Sequence, residues 1–127
     1  MSTEGSYSTK TSKKAYPAAN IRFIHPVYEE QFVEVEALID SGASGTLIPE
    51  SIVEQLALQP INRATMRDYQ GKVVGEKSVY HIKVIIDSLE FYVDVAETEG
   101  FAIIGRDVLN KITTTLKGVQ QKWMMEE

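Results

Sequence analysis

The 127-residue sequence predicts a single, mainly β domain with one or two short helices. Three observations predict it. Apolar and polar residues alternate in short blocks along most of the chain. Helical spacing occurs only in "PESIVEQLAL" and "RDVLNKI". Turn residues separate the blocks at close intervals. With 43% hydrophobic and 24% charged residues, the composition is that of a soluble globular protein.

The elements follow in order. Residues 1–19, "MSTEGSYSTKTSKKAYPAA", are rich in Ser, Thr and Lys without periodicity and read as a flexible N-terminal tail. The domain is expected over residues 20–127, with order starting near Ile21. Ile21 and Phe23, then Phe32, Val33, Val35 and Leu38, suggest two strands around a turn at Tyr28-Glu29-Glu30. The second strand runs straight into Asp40. "TLIP" is a short apolar strand, and "PESIVEQLAL" a helix. Pro49 suits its first position, Glu50 its positive end, and Ile52, Val53 and Leu56 share one face. "INRATMRDYQGKVVGEKSVYHIKVIID" reads as strand, polar turn and strand, with Gly71 at the tip. "LEFYVDVAE" and "FAIIG" are further strands, and "RDVLNKI" a short helix. "TTTLKGVQQKWMM" is a closing hairpin that turns near Lys117-Gly118. Strand, apolar run, glycine and helix occur around Asp40 and again around Gly105.

Composition excludes several functions. A net charge of −5 argues against a nucleic-acid footprint, which needs a basic face. Without cysteine there is no disulfide, thiolate metal site or cysteine nucleophile. His25 and His81 lack the clustered acids of a metal site. No apolar run is long enough to span a bilayer, and the N-terminus lacks the apolar core of a secretory signal. The reading is a soluble, cytoplasmic protein with no cofactor. Glu29, Glu30, Glu34 and Glu36 read as a solvated strand face, and Lys10, Lys13 and Lys14 as a solubilising cluster.

The chemistry concentrates in "ALIDSGASGTLIPE", residues 37–50. Asp40 ends a run that otherwise wants burial, which disfavours its charge. A bland account is available: Asp, Ser and Gly are turn residues, and Asp40 can accept a bond from the amide of Gly42 or Ala43. "GASGT" also brushes against the G-x-S-x-G elbow, with Ser44 served by His25 or His81, but its second glycine falls one place early. The second string that matters is "AIIGRDVL", residues 102–109.

Together, in this order, the two strings resemble those of the retropepsin-like aspartic proteases. In that family an apolar strand ends in D-[ST]-G-A, and later an apolar pair, Gly, Arg and Asp or Asn lead into a helix. The resemblance implies a closed-barrel-like acid protease fold with a flap hairpin, working as a homodimer. It implies that Asp40 of each subunit forms a dyad that hydrolyses peptide bonds. Ser41 would bond across the dimer axis, and Gly42 would let backbone approach substrate. Ala43, Ser44 and Gly45 would line the cleft. Ile103 and Ile104 would wall an apolar pocket, and Arg106 would brace the active-site loop. Tyr69, Gln70 and Gly71 would form the flap tip. The implied partners are a second copy and an extended peptide or protein substrate, with neither nucleic acid nor membrane. The chain departs from the pattern at Ser44, where many viral members carry an acid. Arg106 then needs another partner, a backbone carbonyl or Asp107. The tip "RDYQGKVVGE" is more polar than viral flaps. Trp123, Met124 and Met125 suit a hairpin core or a dimer contact. The alternative is a non-catalytic dimerisation or peptide-binding module of the same fold.

Overall fold

The computed structural model describes all residues, Met1–Glu127. Strands β1 (Ser2–Ser8), β2 (Tyr16–Ile24), β3 (Phe32–Ile39) and β4 (Leu47–Pro49) lead into helix α1 (Glu50–Gln55). Then come β5 (Asn62–Arg67), β6 (Val73–Ile86), β7 (Leu89–Thr98), β8 (Ala102–Ile104), helix α2 (Arg106–Leu109), β9 (Thr113–Lys117) and β10 (Lys122–Glu126). The strands form one 10-stranded sheet in the order β5-β6-β7-β4-β8-β3-β2-β1-β10-β9, with a further β6–β2 pairing. That extra pairing makes β2, β3, β8, β4, β7 and β6 a closed ring, the barrel-like closure expected. Closure removes edges from these strands.

Alternation explains which faces turn inward. Ile21 and Phe23 of β2, Ile82, Val84 and Ile86 of β6, and Phe91, Val93 and Val95 of β7 point into one core. Arg22, Tyr92 and Asp94, which alternate with them, are exposed, as period two requires. Burying each such side chain contributes roughly 1.5–3 kcal/mol. Helix α1 closes one end, burying Ile52 and Val53. Pro49 is its N-cap and lacks the N–H that a helix start leaves unpaired anyway.

Lys83 is the one charged residue buried in this framework. Its ammonium lies 2.8 Å from Glu29 and 3.2 Å from Glu90, so it joins β6 to the β2–β3 turn and to β7. The hydrogen bonds to Glu29 and Glu90 raise its pKa, outweighing desolvation.

The chain start corrects the expectation of a flexible tail. Ser2–Ser6 pair with β10 and Tyr7–Ser8 with β2. Order therefore begins well before Ile21. Trp123 explains the docking. Its indole N–H donates to the Ala18 carbonyl at 2.8 Å, and its ring lies over Gly5. A Cβ at Gly5 would fall 2.5 Å from that ring, so only glycine lets β1 approach. The ends of the chain meet, with Glu127 N–H donating to the Met1 carbonyl.

Candidate active site

Two short apolar strands carry the site. β3 and β8 run parallel, with Ala37, Leu38 and Ile39 beside Ala102, Ile103 and Ile104. β8 and the last residues of β3 pass through the core, burying Ala37, Ile39, Ala102 and Ile104, and only there does the sequence read as an apolar run. Asp40 and Gly105 follow their last residues at the same end of the sheet. The repeated pattern in the sequence thus corresponds to a side-by-side pair.

The loop after β3 is tied to the start of α2 at several points. Asp40 N–H donates to the Ile104 carbonyl at 3.0 Å, and Arg106 N–H donates to the Ala43 carbonyl at 2.9 Å. The Arg106 guanidinium donates to the Ser41 carbonyl at 3.0 Å, the backbone partner that the missing acid at Ser44 required. Below these bonds lies a buried polar centre. Thr46 is 1% exposed. Its hydroxyl donates to Asp107 Oδ1 at 2.7 Å and accepts from Gly105 N–H at 3.1 Å. Its own N–H donates to the same carboxylate. Every polar atom buried here has a partner, as burial demands. A Cβ on Gly105 would lie 2.4 Å from the Gly45 carbonyl carbon, so the two loops touch backbone to backbone.

Asp40 is half-buried and stands at the rim of this assembly. Its Oδ1 accepts from Gly42 N–H at 2.8 Å, the turn-capping bond that its neighbours suggested. Oδ2 makes no hydrogen bond within the chain. The loop and the β5–β6 hairpin together enclose an open groove of about 590 Å3. Gly42, Ala43, Ser44, Gly45 and Arg106 line one side, and Ala64, Met66, Arg67, Asp68 and Tyr69 the other.

At the hairpin tip, Asp68 accepts from the N–H groups of Gln70 and Lys72. Gly71 has a φ of 82°, which a side chain resists. Tyr69 is 97% exposed. Asp40 and Ser41 stand just before the lining stretch that starts at Gly42 and do not themselves line the groove, nor do Gln70, Gly71, Ile103 and Ile104. Ile104 is fully buried in the core, and Ile103 is half-exposed on the opposite face of β8.

Sequence reasoning missed Thr46 and passed over Asp107 as the centre that locks the loop. Thr46 follows a glycine and reads as a turn residue, and Asp107 reads as an ordinary acid in the first turn of a short helix. The signal was the buried surroundings: a Thr between "GASG" and "LIP" has no route to solvent. Asp94, which lines the groove from β7 and pairs with His81 at 2.8 Å, was also missed.

A mainly β ring with an Asp-Ser-Gly loop at the ends of paired apolar strands defines the retropepsin-like class. The fold agrees with solved members. A retropepsin-like aspartic protease from Rickettsia conorii is 14% identical, with a TM-score of 0.65 over 98% of this chain and 91% of that one. EIAV protease, solved with an inhibitor, is 14% identical, with a TM-score of 0.59 over 84% and 93%. Simian foamy virus protease is 16% identical, with a TM-score of 0.54 over 74% and 92%. No curated protein matches the sequence. Residues 28–108 match the aspartyl protease family, and the chain belongs to that family.

Proposed function

We propose that the protein is an aspartic endopeptidase that works as a homodimer, with Asp40 of each copy meeting at the axis. The observation that supports this most is the position of Asp40. It leaves a locked pair of apolar strands beside an open groove, with one carboxylate oxygen free. The chain carries one D-S-G, so a dyad needs a second copy. Two carboxyls a hydrogen bond apart cannot both ionise; they share a proton and titrate as a pair. The ionised one takes a proton from a water held between them. The protonated one donates to the carbonyl oxygen of the scissile bond. The tetrahedral adduct then collapses as the amine leaves with a proton.

In this reading the groove takes substrate in extended form. Ser41 bonds across the axis, and Gly42 offers backbone to the substrate. Ala43, Ser44 and Gly45 line the cleft, while Ile104 supports β8 from the core and takes no part in substrate contact. Arg106 holds the loop from below through the Ser41 carbonyl. The β5–β6 hairpin, with Tyr69, Gln70 and Gly71 at its tip, acts as the flap that excludes water.

The bond from Gly42 to Asp40 Oδ1 also suits a carboxylate that only caps its turn. The rival is therefore a peptide-binding domain that releases its ligand uncut. Incubation with a mixed peptide library from acidic to neutral pH separates the two. The endopeptidase reading expects cleavage with an acid-side optimum that is lost in Asp40→Asn. A folded dimer that cuts at no pH would favour the rival.

A further inference from the structure

The groove beside Asp40 carries four charged side chains: Arg67, Asp68, Asp94 and Arg106. Three of them hold the protein's own loops. Arg106 donates to the Ser41 carbonyl, Arg67 donates to the Gly71 carbonyl at 3.0 Å, and Asp68 accepts from the amides of Gln70 and Lys72. Asp94 holds no loop. Its Oδ1 accepts from His81 Nδ1 at 2.8 Å, and its Oδ2 has no hydrogen-bond partner in the chain.

The strand register decides what Asp94 can meet. Asp94 and Ala96 share one face of β7, because side chains alternate. Val79 of β6 lies opposite Ala96, and His81 opposite Asp94. β4 sets Leu47 on the other side of Ala96. With Ala64 and Met66 of β5, these apolar residues form a wall that ends at the Asp94 carboxylate. Two of its members are alanines, and Gly45 in the loop adds no side chain, which leaves room for a long one. A lysine or arginine matches this order of chemistry, with methylenes on the wall and the cationic head on the carboxylate. An apolar side chain of the same length would desolvate Asp94 without pairing it. His81 steadies the carboxylate, its ring stacked on Tyr92 with centroids 6.1 Å apart. Asp107 and Lys111 border the same corner, but Lys111 makes no ion pair with Asp94. Resting on the endopeptidase reading above, we propose that Asp94 sets the substrate class: peptides with a lysine or arginine at one fixed distance from the cut. Two copies present two grooves, so the same preference recurs on both sides of the cut.

The test compares paired peptides that carry lysine or norleucine at the position a cleaved library selects. Norleucine keeps the methylenes and lacks the ammonium. The native chain cuts the lysine peptide with a kcat/KM about tenfold higher, the size of one charge-assisted contact. Asp94→Asn brings that ratio close to one, and Asp94→Lys shifts selection at the same position to glutamate and aspartate. Anisotropy of the same labelled peptides on the uncut Asp40→Asn chain reads the preference without cleavage. A native chain that cuts both peptides alike, or a ratio unmoved in both Asp94 variants, overturns the assignment and leaves the endopeptidase standing. No cleavage, with lysine still favoured in binding and the preference lost when Asp94→Asn is added, overturns the endopeptidase and keeps the subsite. No cleavage and no preference in binding overturns both.

Discussion

Thr46 holds the Asp40 loop through its buried hydroxyl, and Gly105 through a backbone contact that a side chain would block. Thr46→Val keeps the volume but leaves Gly105 N–H and the Asp107 carboxylate short of a partner in a buried place. The expected loss is about 1–3 kcal/mol in a urea titration, with peptide cleavage falling more steeply than stability because the loop carries Asp40. Gly105→Ala is expected to cost a similar ~1–3 kcal/mol, since the new methyl meets backbone that cannot swing away. A native-like midpoint for either variant would show that the loop is held elsewhere. Asp40 and Gly105 were legible in the sequence because each follows an apolar run. Thr46 and Asp107 were not, because a polar residue's burial depends on what the fold stacks over it.

Among the elements, β6 is the longest and touches the most chemistry. It pairs with β5, β7 and β2, and carries Lys83 and Tyr80. Burial raises the Tyr80 phenol above its usual pKa, and the Glu29 and Glu90 bonds raise Lys83. Both groups hold their proton more tightly when folded. Their stabilisation is therefore complete below the unfolded values near pH ~10 and is lost as pH rises through the folded ones. Stability is expected to fall in the alkaline range, and to fall less in Lys83→Met, as followed by thermal melts. A Lys83→Met curve parallel to the native one would remove Lys83 from the account. At the hairpin tip, Asp68→Ala frees the N–H groups of Gln70 and Lys72. In the flap reading KM for peptides rises severalfold while the melting temperature barely moves. The strands of the ring were legible because alternation marks a strand buried on one face. β1 was not, because "STEGSYS" offers Trp123 a glycine rather than an apolar side chain, and its pairing rests on backbone bonds.

The whole molecule joins these parts. The ring of strands fixes where β3 and β8 end, and their ends fix Asp40 at the side of the groove. β1 and β10 seal the chain's two ends to each other, which leaves β9 as the free edge near α2. The matched family span, residues 28–108, stops short of β9 and β10 and omits β1 and β2. The fold class was therefore readable from motifs in the ring, while the terminal strands had no motif to announce them. No helix is long and apolar enough to cross a membrane. What the account claims above all is that catalysis takes one Asp40 from each of two chains. Subunit mixing tests that claim most directly. The native chain and Asp40→Asn are unfolded together, refolded at constant total protein, and assayed for peptide cleavage. If both carboxylates are needed, activity follows the square of the native fraction, about a quarter remaining at equal parts. Activity that falls in simple proportion, with about a half remaining, would mean that each chain works with its own Asp40 alone, and would contradict the dyad.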